Sequence, residues 1–372
     1  MNEAAITKVP FAYLREQFAD AERIFAELRA LVVSGDFTLG KAVAEFEAAF
    51  AARLRARHAI GVNSGTDALK LSLRALGVGP GDEVITAANT FIATAGAVAD
   101  VGARTVFVDV DDSFCIGPGQ IERAITAKTK AIIPVHLTGN VADMPRIAEI
   151  AARRGIPIVE DACQALCSTL DGACAGTWGA TGTFSLHPLK FLNIWGDGGV
   201  IVTNDDAMAR QLRLLRNHGL QDRDRVVLLG VNSRLDTLQA VVARHVLETA
   251  DTIIRRRNEN AAVYDAGFAS IPEVKVPPRN PRVRHTFVTY QVFAKDRDRL
   301  LAHCIANGVE CKVHYPVPLY RQPGLGHLGY QAGAFPVTDR HAAETITFPV
   351  HQYVARDQLD YAIEVVRRFY GA

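Results

Sequence analysis

The sequence lacks the features that mark several special classes of protein. Neither charge is in excess, because 41 Lys and Arg against 40 Asp and Glu leave a formal net charge of +1. Nucleic acid and anionic membranes are therefore not expected as partners. No apolar run reaches the length of about 18 residues that a membrane-spanning helix needs. Residues Met1–Ala4 lack the basic start and apolar core of a signal peptide. We expect a cytoplasmic protein.

Cysteine is also scarce, with six residues in a chain of 372. This is too few for a disulfide scaffold. Cys163, Cys167 and Cys174 lie near one another, but their spacing matches no paired C-x-x-C pattern, so no metal site is predicted. Apolar residues make up 49% and charged residues 22%, as in ordinary globular proteins. The length favours two domains and the composition favours a small-molecule ligand.

Short apolar segments alternate with helical patterns through the first two thirds of the chain. Because most segments are β-branched and continuous, they are typical of strands buried on both faces. We predict an α/β fold with a mostly parallel, doubly wound sheet. The predicted strands are Ala59–Val62, Glu83–Thr86, Thr105–Val110, Ala131–Val135, Ile156–Val159, Gly182–Leu186 and Val200–Thr203.

The pattern changes near residue 250. A basic helical stretch and a Pro-rich segment lead into a predicted strand at Phe287–Phe293, a second strand at Val309–His314 and a closing helix at Ala355–Phe369. We therefore predict a large α/β domain over residues 1–250 and a small C-terminal α+β domain over residues 251–372.

Two motifs follow predicted strands. In Asn63-Ser-Gly-Thr-Asp-Ala-Leu69, Gly65 permits a tight turn and Thr66 lies at the start of an amphipathic helix, where free N–H groups can bind a phosphate. Simple helix capping by Ser64 or Thr66 is the alternative. Asp161 and Gln164 follow the fifth predicted strand, where ligands bind in open α/β sheets. A helix N-cap is the alternative for Asp161.

The third motif contains Lys190, which follows a predicted strand end and has Ser185 and His187 beside it. Its neighbours Leu189 and Phe191 are apolar, and an amine in apolar surroundings can attack a carbonyl. A helix-start phosphate site, a carboxylate and such a lysine are what pyridoxal 5′-phosphate (PLP) requires. Lys190 would form the Schiff base, and Thr66 and Ser185 would hold the phosphate.

These motifs, together with residues 230–240 (GVNSRLDTLQA), resemble the DegT/DnrJ/EryC1 family of PLP-dependent sugar aminotransferases, which have the fold-type I fold. The resemblance extends from about Phe37 to the C-terminus, with the motifs in the expected order. It implies that Lys190 is both the Schiff-base lysine and the acid/base. It also implies that Asp161 pairs with the pyridine nitrogen and that Gln164 lies near the ring hydroxyl.

The same resemblance extends to further residues of the cofactor site. It implies that Phe91 stacks on the cofactor ring, although Phe91 could instead be a core residue at a helix start. Asn232 matches a residue that reaches the cofactor phosphate from the neighbouring subunit, which implies a homodimer with shared active sites. Phe191 departs from the asparagine that is common after the lysine. Lys190 itself argues against a dehydrating branch of the family, which has histidine at this position.

The substrate side is defined less well. His314 and Tyr315 resemble a segment that borders the sugar-nucleotide pocket, although a turn with two prolines would look the same. Arg234 lies in the same loop as Asn232, and His187 lies beside the cofactor lysine. The resemblance implies amino transfer from L-glutamate to a keto-sugar linked to a nucleoside diphosphate. A keto-inositol or keto-sugar phosphate acceptor, or a PLP-binding regulator without turnover, are the alternatives.

Overall fold

The computed structural model describes residues 8–372. The expectation about a signal peptide concerns Met1–Ala4 and lies outside the described residues. The helices are α1 (Leu14–Gln17), α2 (Glu22–Ser34), α3 (Lys41–Leu54), α4 (Gly65–Ala75), α5 (Ile92–Asp100), α6 (Pro118–Ala124), α7 (Met144–Arg154), α8 (Asp206–Leu215), α9 (Thr237–Glu248), α10 (Ala250–Phe268), α11 (Arg297–Ala306), α12 (Pro336–Glu344) and α13 (Arg356–Tyr370).

Most strands between His58 and Thr203 form one large sheet, and the other strands form two smaller sheets. The strands are β1 (His58–Val62), β2 (Glu83–Ala87), β3 (Arg104–Val108), β4 (Thr129–Ile133), β5 (Val159–Asp161), β6 (Thr169–Leu170), β7 (Ala173–Cys174), β8 (Thr181–Ser185), β9 (Gly199–Thr203), β10 (Val274–Lys275), β11 (Val283–Arg284), β12 (Tyr290–Ala294) and β13 (Thr345–Phe348).

Seven of these strands lie side by side in the order β3-β2-β4-β5-β8-β9-β1. Parallel bridges from Ile132 to Ile158 and from Val135 to Asp161 join the two halves of this sheet. Only β9 runs antiparallel to its neighbours. The predicted mostly parallel α/β sheet is confirmed. The ends of β5 and β8 lie at the same edge, because Asp161 pairs with Thr183 in parallel register.

Helices cover both faces of the large sheet because alternate residues of each strand point to opposite sides. On one face, Ile85 of β2 packs in a core with α3, α7 and α9. On the other face, Val84 packs with α4 and α5. This alternation explains why the buried strands are apolar throughout. We call this layered structure the large unit.

A second core lies in the C-terminal part of the chain, which we call the small unit. The antiparallel sheet β10-β12-β13 packs against α10, α11 and α13 around Phe268, Tyr290 and Phe348. The prediction of a strand at Val309–His314 is wrong. This segment makes only single bridges, from Val309 to Val9 and from Lys312 to Thr347, so no continuous ladder forms.

Helix α10 connects the two units. Its first turns place Ile253 and Ile254 in the core of the large unit, whereas Tyr264 and Phe268 lie in the core of the small unit. The division between residues 250 and 251 stays a prediction. In the part of the chain that is described, no helix combines the length and the apolar character needed to cross a bilayer.

Candidate active site

The start of α4 packs tightly against the end of β8. A Cβ atom at Gly65 would lie 2.8 Å from the Cβ of Ser185 and 3.0 Å from the sulfur of Cys163, so only glycine fits without displacement. The Ser64 hydroxyl caps the helix by accepting the N–H of Asp67. Thr66 is exposed beside it. The first N–H groups of a helix have no intrahelical partner, so this turn can bind an anion.

Asp161 ends β5, and its carboxylate is buried at this edge of the sheet. One oxygen accepts the Thr94 hydroxyl at 2.8 Å, and the other accepts the backbone N–H of Cys163 at 3.2 Å. Residues 162–168 contain no helix, so the alternative that Asp161 caps a helix is wrong. Each carboxylate oxygen keeps a lone pair for a further donor.

Lys190 lies in the turn that follows β8 and is half-buried. Its backbone N–H donates to the carbonyl of His187 at 2.8 Å. The backbone carbonyl of Lys190 accepts the Tyr13 hydroxyl at 3.2 Å. Burial raises the pKa of the Cys163 thiol well above its usual value, Asp161 raises it further, and the charge of Lys190 opposes this rise. The lysine and the carboxylate therefore act on the same thiol.

Gln164 connects the end of β5 with the small unit. Its side-chain oxygen accepts the N–H of Thr138 at 2.9 Å, and its amide donates to the Tyr315 hydroxyl at 3.3 Å. The ring of Phe91 lies 6.0 Å from the Tyr315 ring, and half of the Phe91 surface is exposed. Phe91 precedes α5, as the core alternative requires, but its exposure excludes that alternative.

His314 lies beside this group of residues. Its Nδ1 atom is 2.9 Å from the Thr347 hydroxyl. Burial lowers the pKa of His314 to about 4, and the charges of Lys312 and Lys190 act in the same direction. Burial likewise raises the pKa of Tyr315 to about 12. Both side chains are therefore neutral near pH 7.

The remaining predicted residues lie further out. His187 is exposed, and its Nδ1 atom accepts the N–H of Leu189 at 3.2 Å. Asn232 is exposed in a segment that bridges to Asn217. Arg234 donates to the side chain of the same Asn217 at 3.0 Å. Among residues 8–372 of one chain, the hydrogen bonds of Asn232 and Arg234 do not connect them to Lys190 or Asp161.

Three further residues support this site and are not among those predicted from the sequence. Thr94 holds Asp161, Thr138 holds Gln164, and Tyr13 contacts the Lys190 carbonyl. The position of Thr94 could have been a signal, because it lies one helical turn after Phe91 in a segment that follows a strand. Tyr13 gives no such signal, since its contact spans 177 positions.

The residues at the sheet edge fit a PLP molecule in their chemistry. The open first turn of α4, with Thr66 and Ser185, suits a phosphate. The free lone pairs of the buried Asp161 suit a protonated ring nitrogen, and the exposed face of Phe91 suits an aromatic ring. Lys190 is an amine at the same edge. Within residues 8–372, His, Cys, Asp and Glu form no group of three that could hold a metal ion.

Comparison with known proteins identifies relatives along nearly the whole chain. The profile of the DegT/DnrJ/EryC1/StrS aminotransferase family matches residues 19–367. A pleiotropic regulatory protein of Geobacillus stearothermophilus is 42% identical over 366 residues, which cover 97% of this chain and 98% of that protein. A dTDP-3-amino-3,4,6-trideoxy-alpha-D-glucose transaminase of Streptomyces venezuelae is 38% identical, with 99% and 98% covered.

Solved structures of aminotransferases also superpose on this chain over nearly its whole length. The structure of S. venezuelae DesV in complex with a ketimine intermediate superposes with a TM-score of 0.96 at 38% identity and covers 98% of this chain and 99% of that chain. The PLP form of a putative sugar aminotransferase from Streptococcus pneumoniae gives a TM-score of 0.89 at 27% identity, with 94% and 96% covered. These matches confirm the predicted fold-type I fold, PLP as the cofactor and the sugar aminotransferase class. The chain belongs to the DegT/DnrJ/EryC1/StrS aminotransferase family.

Proposed function

We propose that this protein transfers the amino group of L-glutamate to a keto-sugar linked to a nucleoside diphosphate. The main support is the meeting of an amine, a buried carboxylate and an open helix start at one edge of the sheet, formed by Lys190, Asp161 and Gly65. Such a transfer requires a group that accepts electrons from the substrate carbon, and PLP supplies that chemistry when bound.

The residues at the cofactor have separate tasks in this proposal. The first turn of α4 with Thr66 and Ser185 would hold the phosphate, Asp161 would bind the ring nitrogen, and Gln164 would lie beside the ring hydroxyl. Phe91 would cover one face of the ring. Lys190 would hold the cofactor through its Nζ atom, and the same amine would serve as the acid and base that moves a proton.

Asp161 is prepared for its task by its surroundings. Thr94 and the N–H of Cys163 hold the carboxylate in one orientation before the cofactor arrives. Its burial excludes water, so a protonated nitrogen is stabilised more strongly there than at the surface. The carboxylate therefore keeps its partner charged throughout the reaction.

The substrate proposal rests on the relatives and on the segment that follows Val309. Three of the relatives are named for dTDP-, UDP- and GDP-linked sugars. His314 and Tyr315 are neutral hydrogen-bonding groups that face the cofactor side, which suits sugar hydroxyls. We propose that both contact the sugar, and that His187 and Arg234 also border the substrate.

We also propose a homodimer with shared active sites, in which Asn232 of one chain reaches the cofactor phosphate of the other. Large apolar side chains lie exposed close to both loops: Leu189 precedes Lys190, and Leu229 is 83% exposed near Asn232. A partner chain that reaches the cofactor site over these two loops would cover both side chains.

We also propose a cytoplasmic location, which is consistent with six cysteines that are all free thiols.

The decisive experiment is a screen of acceptors. Purified protein is loaded with PLP, treated with L-glutamate, and then supplied with dTDP-, UDP- or GDP-linked keto-sugars while the amino product is identified by mass spectrometry. We expect product with a nucleotide-linked sugar. Lys190→Ala should lower turnover by at least about a thousandfold. Lys128→Ala, which removes an exposed lysine, should not change turnover.

The same screen separates the alternatives. Turnover with a keto-inositol or a keto-sugar phosphate, and none with the nucleotide-linked sugars, would replace the proposed acceptor. The relative named as a pleiotropic regulatory protein favours a second candidate, a PLP-binding regulator without turnover. That candidate predicts PLP binding without any reaction with L-glutamate. The complete set of Lys190, Asp161 and Gln164 favours the enzyme.

A further inference from the structure

A segment near the N-terminus connects both units to the loop of Lys190. We call residues 9–18 the N-terminal strap. It begins at Val9, which bridges to Val309, and the N–H of Phe11 donates to the Glu310 carboxylate at 2.8 Å. The strap therefore begins on the small unit. At its other end, the ring of Phe18 lies 5.6 Å from the ring of Trp195, which follows the Lys190 loop.

Tyr13 occupies the middle of the strap and is 6% exposed. Its hydroxyl donates to the Lys190 carbonyl at 3.2 Å, and it accepts N–H groups of Arg257 at 2.8 Å and of Asn193 at 3.3 Å. A phenol has one donor and two acceptor positions, so this hydroxyl is fully used. The ring also stacks on His351 at 4.9 Å.

Arg257 is the second unusual residue of this arrangement. It is 2% exposed, and among the described residues it forms no salt bridge. Its guanidinium donates instead to the carbonyls of Phe287 and Val288, the side chain of Gln352 and the Tyr13 hydroxyl. Burying a charge is costly unless its hydrogen bonds are made, so each of these contacts is held firmly.

These contacts form a continuous connection from the small unit to the Lys190 backbone. Arg257 lies on α10, its partners at Phe287 and Val288 precede β12, and Tyr13 passes the connection to the loop. The loop is exposed just before the lysine, at His187 and Leu189, whereas Phe191 on its other side is buried. A loop of this kind gains a fixed position from a hydrogen bond to its backbone.

We propose that Tyr13 and Arg257 are positioning residues that hold the Lys190 backbone in the place its amine needs for proton transfer. The inference rests on the proposed role of Lys190. Neither residue contacts the reacting atoms in this assignment. Tyr13 acts through the Lys190 carbonyl, and Arg257 acts through Tyr13.

The test removes one hydroxyl. Tyr13→Phe keeps the ring and its stacking on His351 but loses all three hydrogen bonds. Tyr353→Phe is the matched control, because Tyr353 lies 6.2 Å from Tyr13 in the same aromatic group and its hydroxyl is 3.5 Å from Gln17. Arg257→Lys is a second variant, which keeps the charge and loses the planar geometry of the donors.

Two measurements are made on each variant. The first is the rate of the half-reaction of PLP-loaded protein with L-glutamate in a single turnover, together with the KM for glutamate. The second uses protein without cofactor: reductive methylation of Lys190 is quantified by peptide mass spectrometry, with the exposed Lys128 as an internal reference. PLP affinity and the melting temperature are recorded alongside.

We expect Tyr13→Phe to slow the half-reaction about tenfold with KM changed less than about twofold. Lys190 should be methylated about threefold faster in the cofactor-free variant, because its loop is released. Arg257→Lys should show a smaller change in the same direction. Tyr353→Phe should match the wild type in both measurements.

The inference is overturned if Tyr13→Phe equals Tyr353→Phe in both measurements. It is also overturned if the slower half-reaction is fully explained by lost PLP binding or lost folded protein, which indicates a purely structural role. Failure of the proposed function looks different: the wild type itself would then not react with L-glutamate. The methylation of Lys190 reports on the position of the loop in that case too.

Discussion

The two sides of the active site are built in different ways. On the cofactor side, the residues lie within a few positions of a strand end, as Asp161, Gln164 and Ser185 do. On the side of the small unit, the contacts join distant parts of the chain: Tyr13 meets Lys190 across 177 positions and Arg257 across 244. The chemical groups are supplied locally, whereas their positions are fixed by the packing of the two units.

The largest effect that tests this comparison concerns two adjacent carboxylates of β5. Asp161 faces the cofactor side, whereas Glu160 points to the opposite face, where it accepts three backbone N–H groups and lies 2.9 Å from His136. Asp161→Asn should slow the glutamate half-reaction by at least about a hundredfold, because a neutral amide does not stabilise a protonated ring nitrogen.

Glu160→Gln is the matched variant for Asp161→Asn. It should lower the free energy of unfolding by about 2–3 kcal/mol, since charge-assisted hydrogen bonds are lost. The half-reaction of the remaining folded protein should stay within about threefold of wild type. Single-turnover rates and denaturant melts measure both effects. An Asp161→Asn protein that reacts like Glu160→Gln would show that the two faces of β5 do not differ in this way.

The second prediction compares two helical glycines. A Cβ at Gly65 would meet Ser185 and Cys163, whereas a Cβ at Gly96 of α5 would meet nothing within 4 Å. Gly65→Ala displaces the start of α4 and should weaken PLP binding about tenfold. Gly96→Ala should leave PLP binding unchanged and stabilise the protein by about 0.5–1 kcal/mol. Absorbance titration with PLP and thermal melts measure these effects, and equal affinities for PLP would contradict the first.

The sequence was sufficient for the parts of the molecule that depend on local patterns. Continuous apolar segments predicted the buried strands, and polar residues after their ends predicted which side chains meet at the sheet edge. The place of Asp161 at the sheet edge was predictable because it directly follows a buried strand, and Lys190 was noticeable because its neighbours are apolar. The fifth strand begins at Val159 instead of Ile156, because the N–H of Ile156 donates to Ala151 of α7 and Pro157 has no N–H for a ladder.

The contacts that fix positions were not predictable in the same way. Val309–His314 has a strand-like composition, but its partners Val9 and Thr347 each offer it a single bridge. Thr94 and Thr138 look like ordinary helix or loop residues until the fold brings them to Asp161 and Gln164. Thr138 lies 26 positions from Gln164 with no periodic pattern to mark it, and Thr94 is marked only by its place one helical turn after Phe91.

The third prediction concerns the loss of folding stability in acid, which we expect from buried histidines on the side of the small unit. Burial lowers the pKa values of His314, His341 and His351 from 6.5 to about 4. In each case the unfolded chain binds the proton first, so stability is complete above pH 6.5 and falls as the pH decreases toward 4. Each histidine contributes up to about 3 kcal/mol to this loss.

Melting temperatures between pH 7 and pH 4.5 measure the acid effect. The wild type should melt several degrees lower at pH 4.5, and His341→Asn should lose less stability over the same range. Desolvation opposes the effect of Arg340 and Lys275 on Asp112, but these two cations still hold its pKa at about 2. The Asp112 carboxylate therefore stays charged down to pH 4.5 and does not add to the loss of stability. A melting temperature that is constant down to pH 4.5 would show that the buried histidines of the small-unit side do not control acid stability.

The smallest expected effect lies where the two sides meet, at the hydrogen bond from Gln164 to Tyr315. At 3.3 Å it is long, so Tyr315→Phe should raise the KM for the sugar only about three- to fivefold and leave the glutamate half-reaction unchanged. With pKa values of about 12 for Tyr315 and about 4 for His314, neither group titrates between pH 6 and pH 9. The pH profile over that range should therefore be the same in Tyr315→Phe and wild type. A changed half-reaction would instead place Tyr315 with the residues of the cofactor side, and the boundary between local chemistry and long-range positioning would move to include the small unit.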